Sequence, residues 1–194
     1  SRGLGDVYKR QLMECMGGKE KYIAKLDSMF SEHRYWHGNE PCHHVIYLYN
    51  YLGRPWECQR WIRRVSDSFY GNEPGSLSGN DDCGQMSAWY IFTAMGFYPV
   101  CPGSDQYVLG APYFPYMKVR VGEGRYLEIK APKVSSKNRY VHGVRLNGKP
   151  WTKAYLTYSD LCGGGVLEFD MRPTPDKRRR FTGDERPYSL SREL

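Results

Sequence analysis

Residues 79–90 read Gly79-Asn80-Asp81-Asp82-Cys83-Gly84-Gln85-Met86-Ser87-Ala88-Trp89-Tyr90, and they place two adjacent acids in a glycine-bracketed turn. Gly79 and Gly84 permit dihedral angles that other residues rarely adopt. After the turn, apolar side chains recur at intervals of three to four positions, at Met86, Trp89, Ile91, Phe92 and Met95, and Gly96 ends the run. The stretch therefore predicts a tight turn that presents carboxylates at the start of an amphipathic helix.

Two roles are open for the paired acids. Asp82, with Gln85 three positions later, fits the capping-box pattern, in which side chains bind the free N–H groups of a helix start. Capping requires only one of the acids, and two adjacent carboxylates repel each other unless a cation, a proton or a substrate compensates. The second acid favours a functional site, and capping by Asp82 remains the structural alternative.

A second polar cluster lies upstream, in the run Trp36-His37-Gly38-Asn39-Glu40-Pro41-Cys42-His43-His44. Asn39 and Glu40 supply a neutral and a charged oxygen side by side, a combination that Ca²⁺ binds. Cys42, His43 and His44 would suit Zn²⁺, but no Cys-x-x-Cys spacing is present and adjacent histidines on a helix point about 100° apart. Calcium is therefore favoured over zinc. The histidines also have a structural alternative, in which one is buried against an aromatic ring and the other is solvated.

The hydrophobic periodicity changes near residues 99–102. Upstream, apolar positions at helical spacing predict four helices, at residues 19–30, 45–52, 55–69 and 85–95. Downstream, short alternating runs predict antiparallel strands at residues 117–121, 126–131, 140–146, 154–158 and 166–171, with an Asn147-Gly148 turn between two of them. The pattern predicts an α+β chain with helical hairpins followed by a β region.

Composition limits the class of protein. With 194 residues, 40% of them hydrophobic and 15% aromatic, the chain can bury a substantial core, which excludes general disorder. It contains no run of about twenty apolar residues, so no membrane span is expected. The six cysteines lack the spacing of a disulfide scaffold, and most are predicted to be buried small apolar side chains.

The net charge of +7 lies in the second half of the chain. Residues 103–194 hold 17 Lys and Arg against 10 Asp and Glu, whereas residues 1–102 hold 11 of each. The densest basic run is Lys177-Arg178-Arg179-Arg180. Such a run can bind nucleic acid, but it is more typical of a solvated, loosely ordered terminus, so we expect no nucleic-acid partner.

Together these segments resemble glycoside hydrolase family 92, the calcium-dependent, exo-acting α-mannosidases. The resemblance extends over residues 12–171 and corresponds to the C-terminal part of a family member. It is carried by residues 16–27 (MGGKEKYIAKLD), residues 38–51 (GNEPCHHVIYLYNY), residues 79–98 and the later Leu146-Asn147-Gly148-Lys149, taken in this order.

The resemblance implies a domain plan that periodicity alone does not give. Residues 12–102 would form the last part of an (α/α)6 toroid, and residues 103–175 a small antiparallel β-sandwich packed on it. Residues 176–194 would be a basic, loosely ordered tail. Residues 1–11 match nothing in the family and are predicted to be a non-native scar.

The family's reaction implies roles for the paired acids. Its members hydrolyse terminal α-mannosides with inversion, by a single displacement in which a carboxylate base activates water on the face opposite a carboxylic acid. By position in the motif, Asp82 corresponds to this general base. Asn80 and Asp81 correspond to residues that flank the water.

The resemblance also implies a metal site and sugar contacts. Asn39 and Glu40 correspond to calcium ligands, and the ion in this family also holds mannose hydroxyls. Calcium would act as a Lewis acid and as a template for the sugar. His43 and His44 are candidates for contacts with the substrate.

The general acid of the family is a glutamate upstream of the segment matched by residues 16–27. Here the only upstream acids are Asp6 and Glu14, and neither stands in the family's Glu-Gly-Asn context. The chain is therefore predicted to be a fragment that carries the base and part of the calcium site and is inactive alone. The implied partners are a mannose-containing glycan and an N-terminal domain of the same polypeptide, and the implied location is periplasmic or secreted.

A second functional class is a non-catalytic carbohydrate-binding or interaction module. In that case aromatic side chains would serve as platforms for sugar rings, and the candidates are Trp36, Trp56, Trp61, Trp89 and Tyr90. Trp61 and Trp89 lie on apolar helix faces and are predicted to belong to the core. A second carboxylate facing Asp82 across a pocket would distinguish the enzyme from the binding module.

Overall fold

The computed structural model describes residues 9–101 and 103–189. The helical part comes first and contains α1 (Lys9–Cys15), α2 (Lys19–Ser31), α3 (Leu48–Tyr51), α4 (Pro55–Phe69) and α5 (Gln85–Met95). Two 3₁₀ turns precede α3, at Glu40–Cys42 and Val45–Tyr47. The helices predicted at 55–69 and 85–95 are confirmed, and the one predicted at 19–30 extends by one residue.

The helix predicted at 45–52 is divided. Its first turn is a 3₁₀ turn, in which the amide of Tyr47 donates to the carbonyl of His44 at 3.0 Å, and only α3 is α-helical. Tight turns of this kind are frequent at helix starts. Both pieces remain in the core, because Ile46, Tyr47, Leu48 and Tyr49 are all buried.

The second half of the chain folds as two sheets. Its strands are β1 (Phe97–Tyr98), β2 (Gln106–Leu109), β3 (Tyr116–Gly122), β4 (Arg125–Lys130), β5 (Tyr140–Leu146), β6 (Lys149–Pro150), β7 (Tyr155–Thr157) and β8 (Gly165–Arg172), and a short helix, α6 (Tyr158–Cys162), precedes β8. One sheet has the strand order β1-β2-β7 and the other β3-β4-β8-β5-β6. All five predicted strands are present.

Two features of the sheets correct the sequence-based prediction. The β region is not wholly antiparallel, because β4 and β8 pair in parallel, with Ile129 opposite Leu167. Alternation of apolar residues shows which face of a strand is buried but not which strand lies beside it. In addition, β1 lies upstream of the boundary predicted at residue 102 and pairs with β2, so the smaller sheet connects the two predicted regions.

The apolar side chains form two cores. In the helical core, Trp61 and Trp89 are 6% and 0% exposed, which confirms their predicted core role. The second core lies on the five-stranded sheet and contains Leu127, Ile129, Leu167 and Phe169. Helix α4 and strand β5 are in contact, because the amide of Val141 donates to Oε1 of Gln59 at 3.1 Å.

The basic tail is ordered as far as residue 189, contrary to the prediction for residues 176–194. Phe181 is 8% exposed, and the Arg179 guanidinium donates to the carbonyl of Trp151 at 3.2 Å. Burial lowers the pKa of Arg179. The amide of Ala154 donates to the carbonyl of Glu185, which joins the tail to the chain just before β7. Part of the basic run is thus used in packing. Residues 190–194, and most of the scar predicted at residues 1–11, lie outside the described residues.

Two further predictions concern the burial of the cysteines and membrane-spanning helices. Only Cys58 and Cys101 are buried, Cys42 and Cys162 are half-buried, and Cys15 and Cys83 are exposed, so the prediction that most are buried is wrong. Within the described residues, none of the six forms a disulfide. Within residues 9–101 and 103–189, no helix has the length and apolarity needed to cross a membrane.

Candidate active site

The two polar motifs lie against each other in the structure. We call residues 35–44 the upstream loop and residues 78–87 the acidic loop. They cross at Gly38 and Gly79: a Cβ on Gly38 would lie 2.2 Å from the carbonyl oxygen of Ser78, and a Cβ on Gly79 would lie 2.3 Å from that of Gly38. Real Cβ atoms do not approach so closely, so the crossing requires glycine at both positions.

The acidic loop holds Asp82 in an unusual backbone conformation. Asp82, Cys83 and Gly84 all have positive φ, of 42°, 60° and 92°. The left-handed region costs a non-glycine residue about 1–2 kcal/mol, and such residues cluster at functional sites. The conformation leaves the Asp82 side chain exposed. Across the part of the chain that the structure describes, its carboxylate has no hydrogen bond or ion pair.

Asp81, rather than Asp82, ties the acidic loop to the start of α5. Its Oδ1 accepts hydrogen bonds from the amide of Ser87 at 2.9 Å and from the Ser87 hydroxyl at 3.0 Å. Its carbonyl accepts from the amide of Gln85 at 2.7 Å. The N-cap position is occupied by Gly84, which offers no side chain. Capping by Asp82 is therefore wrong, because the left-handed turn shifts the helix start two residues downstream.

Asp81 and Asn80, which are predicted to flank the water, are neighbours in the acidic loop. Oδ1 of Asp81 is engaged by Ser87, which gives this side chain a structural function. Asn80 is exposed beside it. Their placement around a water molecule stays a prediction.

Asn39 and Glu40 lie just after the crossing on the upstream loop. Asn39 is extended and exposed, and Glu40 is the half-buried first residue of a 3₁₀ turn, with Pro41 in that turn. The amide and carboxylate oxygens fit calcium in type. Within the described residues, no three His, Cys, Asp or Glu side chains are grouped closely enough to hold a metal ion. These two residues would therefore form only part of a calcium site.

Sequence reasoning missed His37, which is fully buried beneath the crossing. Its Nδ1 lies 2.8 Å from the Tyr35 hydroxyl, and its Nε2 lies 2.7 Å from the Tyr70 hydroxyl. Its ring packs edge-on against Trp89 at 4.3 Å between centroids. Burial, and then the neighbouring His43, lower the pKa of His37 to about 3, so it is neutral at physiological pH. In the sequence, the flanking residues Trp36 and Gly38 do not indicate that His37 is buried.

His43 is also buried, at 1% exposure, and both ring nitrogens are occupied. Nε2 lies 3.1 Å from the carbonyl oxygen of His37, and Nδ1 lies 3.2 Å from the amide nitrogen of Gln85. Burial lowers its pKa. A sugar contact by His43 stays a prediction, and this burial argues against it. His44 is half-buried, and its predicted sugar contact likewise stays a prediction.

An aromatic groove of about 400 Å³ lies beside the crossing. Trp36 stands at its edge with 57% of its surface exposed, and Phe69, Tyr70 and Leu77 contribute to the lining. Trp56, a further platform candidate, is half-buried, and the Arg180 guanidinium lies 5.9 Å from its ring centroid. Trp36 is thus the tryptophan with the most open face for a sugar ring.

The sequence is similar to a known family and to a curated protein. Residues 8–173 match the family described as Glycosyl hydrolase family 92 catalytic domain. A curated relative, named "Uncharacterized secreted glycosidase", from Arthroderma benhamiae, is 29% identical over 163 residues. That match covers 82% of this chain and 21% of the relative, so the chain spans about a fifth of its length.

Solved structures give matches to the same family. A family GH92 alpha-mannosidase from Bacteroides thetaiotaomicron is 49% identical, with a TM-score of 0.85 over 89% of this chain and 24% of that one. A structure of that enzyme in complex with mannoimidazole matches at 47% identity and a TM-score of 0.84, over 89% of this chain and 25% of that one. A family GH92 inverting mannosidase from Bacteroides thetaiotaomicron VPI-5482 is 35% identical, with a TM-score of 0.88 over 98% of this chain and 30% of that one.

Proposed function

Because the chain belongs to glycosyl hydrolase family 92, we propose that it is part of an inverting, calcium-dependent α-mannosidase that hydrolyses terminal α-mannosides. The α-1,2 linkages of N-glycans or mannan are examples of the bonds it would cleave. Its helices would form the end of an (α/α)6 toroid, and its sheets a sandwich packed on that toroid. The chain spans 24% to 30% of the matched structures, so the complete active site would include residues from other parts of the polypeptide.

The observation that carries the proposal is the crossing of the two loops at Gly38 and Gly79. It brings the segment with Asn39 and Glu40 beside the segment with Asp82, although Glu40 and Asp82 are 42 positions apart along the chain. A base and a metal-ligand pair on adjoining loops suit metal-assisted hydrolysis of a sugar, in which the base activates water and the ion acts as a Lewis acid.

Asp82 suits the role of general base. Its carboxylate is exposed, and no group in residues 9–101 or 103–189 binds it, so it is free to accept a proton from water. Asp82 and Cys83 have left-handed backbone, and Asp81 rather than Asp82 binds the start of the helix. In an inverting enzyme the partner acid lies about 6.5–9.5 Å from the base, with water between them. That acid would come from upstream of residue 12.

Calcium would be held in part by Asn39 and Glu40. When bound, the ion would supply Lewis-acid stabilisation and a fixed contact for sugar hydroxyls. Glu40 would contribute the charged ligand and Asn39 a neutral one. Further ligands would be water, backbone carbonyls, the substrate or residues elsewhere in the polypeptide.

The substrate and the location are inferred from the relatives. A mannose-containing glycan is supported by the match to an alpha-mannosidase that was solved with mannoimidazole. A secreted or periplasmic location is supported by the curated relative, whose name describes a secreted glycosidase. We expect the 194-residue chain to be inactive by itself, since general acid catalysis contributes about 10²- to 10⁴-fold to such reactions.

The test uses a chimera in which residues 12–189 of this chain replace the corresponding segment of the Bacteroides enzyme that is 49% identical. We expect this chimera to cleave an aryl α-mannoside with inversion. Asp82→Asn should lower kcat by about 10²- to 10⁴-fold because the amide cannot accept the proton. Binding of mannoimidazole should be retained, which separates loss of the base from loss of the site. Full activity in Asp82→Asn would refute the assignment.

The alternative of a non-catalytic carbohydrate-binding module rests on the exposed face of Trp36. Calorimetric titration of the 194-residue chain with α-mannosides distinguishes the two. A binding module would bind the sugar without the rest of the polypeptide and would lose binding in Trp36→Ala. The hydrolase proposal expects no measurable binding by the isolated chain.

A further inference from the structure

The two loops are joined beneath their crossing by a hydrogen-bond network in which His37, His43 and Met86 are buried and Tyr70 and Gln85 are half-buried. His37 and His43 come from the upstream loop, Gln85 and Met86 from the acidic loop, and Tyr70 from the residue that follows α4. The catalytic assignments above use none of these five residues as a reacting group. Except for the contact of His43 with the carbonyl of His37 inside the upstream loop, the hydrogen bonds between them connect residues at least 16 positions apart.

One chain of hydrogen bonds passes through Tyr70. The Tyr70 hydroxyl lies 3.0 Å from the carbonyl oxygen of Met86, which can only accept, so the hydroxyl donates its proton there. Its oxygen must then accept from Nε2–H of His37, at 2.7 Å. A neutral His37 with a proton on Nε2 has a bare Nδ1, which accepts from the Tyr35 hydroxyl at 2.8 Å. The Tyr35 hydroxyl also lies 3.3 Å from the carbonyl oxygen of Cys42, and its proton goes to the nearer acceptor, Nδ1 of His37, so donors and acceptors match along this path.

A second chain passes through Gln85. Nε2 of His43 donates to the carbonyl of His37, so its Nδ1 is bare and accepts from the Gln85 amide at 3.2 Å. The other hydrogen of that amide is donated to the Tyr98 hydroxyl at 3.0 Å. A third contact lies beside these, because the Trp89 indole donates to the carbonyl of His43 at 3.1 Å. Both amide hydrogens of Gln85 are thus used.

We propose that Tyr70 and Gln85 are positioning residues that act through His37 and His43. They hold the acidic loop, which carries Asp82, in one register against the upstream loop, which carries Asn39 and Glu40. The proposal rests on the proposed function for its catalytic consequence, but the register itself follows from the contacts. Gly38 and Gly79 let the backbones touch, and the network prevents one from sliding over the other. Displacement of a reacting group by about 1 Å can cost roughly 10²-fold in rate, so such a constraint has a measurable effect.

The experiment compares single-hydroxyl deletions in the chimera defined above. Tyr70→Phe removes the bridge from His37 to Met86. Tyr47→Phe is the control, because it removes a more deeply buried hydroxyl whose partner, Thr93 at 2.9 Å, lies outside both loops. Gln85→Met is a stronger variant that keeps the length of the side chain and removes both donated hydrogen bonds.

Two readouts are required. Amide hydrogen exchange should become faster in residues 35–44 and 78–87 in Tyr70→Phe and Gln85→Met, and it should remain unchanged there in Tyr47→Phe. The kcat for an aryl α-mannoside should fall by roughly 10- to 100-fold in Gln85→Met with KM little changed, since a constraint on geometry acts on the transition state. Tyr47→Phe should keep the parent kcat.

A pair of substitutions at His43 identifies the contact that matters. The side-chain oxygen of His43→Asn can replace Nδ1 as acceptor from Gln85, whereas the amide of His43→Gln can replace the Nε2 donor to His37 and leaves Gln85 without its partner. We expect kcat to be higher in His43→Asn than in His43→Gln. The reverse order would overturn the role of Gln85.

The remaining outcomes also decide the proposal. Unchanged exchange in both loops, or a kcat in Gln85→Met equal to that of Tyr47→Phe, would overturn it. Faster exchange without loss of kcat would show that the network stabilises the loops but does not position the base. If the parent chimera has no mannosidase activity, the proposed function fails, and hydrogen exchange alone then decides whether the network holds the two loops together.

Discussion

Gly38 and Gly79 are in backbone contact, with the carbonyl oxygen of Gly38 2.3 Å from the position a Cβ on Gly79 would take. The two residues are separated by 41 positions in the chain. Neither φ is in the left-handed region, so the need for glycine arises from the close approach of the two loops. The distance between the candidate base and the candidate calcium ligands depends on this contact.

Gly79→Ala should therefore force the loops apart. We expect a loss of stability of about 1–3 kcal/mol, as is typical of overpacking, and a large fall in α-mannosidase activity of the chimera. Thermal unfolding and kcat measure the two effects. Gly75→Ala is the control, because a Cβ there meets no atom within 4 Å and its φ is not left-handed. Equal effects of the two substitutions would contradict this account of the crossing.

Substitution of Asp81 should lower the stability of the protein, whereas substitution of Asp82 by Asn should leave it nearly unchanged. Asp81→Ala removes the acceptor for the Ser87 amide and hydroxyl, and loss of such a cap costs about 0.5–2 kcal/mol. Asp82→Asn should leave the unfolding temperature nearly unchanged, since asparagine tolerates left-handed backbone and no described group binds this carboxylate. Melting curves and kcat of both variants would show the difference. A lower melting temperature in Asp82→Asn than in Asp81→Ala would contradict it.

Ionisation of the Tyr47 hydroxyl in the unfolded chain should make the folded protein less stable at alkaline pH. Burial raises the pKa of its hydroxyl well above 10.0 in the folded state, whereas the unfolded chain ionises near 10.0. The stabilisation is complete below pH 10 and is lost as pH rises above it, by at most about 1.4 kcal/mol per pH unit. The unfolding temperature of the chimera should fall less steeply above pH 10 in Tyr47→Phe than in the parent. The half-exposed Tyr116 provides the control, and Tyr116→Phe should follow the parent curve.

Phe181 should make a large contribution to stability although it lies in the basic tail. Phe181→Ala removes a side chain that is 8% exposed, and such truncations in cores cost about 3–5 kcal/mol. Phe114, at 40% exposure, is the matched control, and Phe114→Ala should cost much less. Chemical unfolding monitored by tryptophan fluorescence would measure both. Equal effects would indicate that the tail does not pack stably on the sheet.

The local elements were largely predictable from the sequence. Helices α4 and α5 begin and end where periodicity predicts, because Pro55 fixes a helix start and Gly96, at φ 98°, ends α5 in a left-handed conformation. The strand segments were also predictable, since apolar residues alternate along them. The pairing of the strands was not predictable. The parallel pair of β4 and β8 joins strands that are distant in sequence, and alternation does not show which strands become neighbours.

The site was predictable in its motifs but not in its contacts. The sequence identified both motifs, and the structure shows that their loops cross at Gly38 and Gly79. The sequence left capping by Asp82 open as an alternative, because a spacing pattern cannot reveal that three consecutive residues adopt positive φ. It also gave no indication of the buried His37, whose partners Tyr35 and Tyr70 are separated by 35 positions. Such partners become visible only when the helices are packed.

The position of β8 has a consequence for folding. This strand is the last to be synthesised, yet it lies between β4 and β5 in the five-stranded sheet. Until residues 165–172 leave the ribosome, the β3–β4 hairpin and the β5–β6 hairpin share no strand, and the inner edges of β4 and β5 are unpaired. Unpaired edges of this kind are prone to aggregation. The five-stranded sheet therefore cannot be completed before β8 has been synthesised, because only this strand joins the two hairpins.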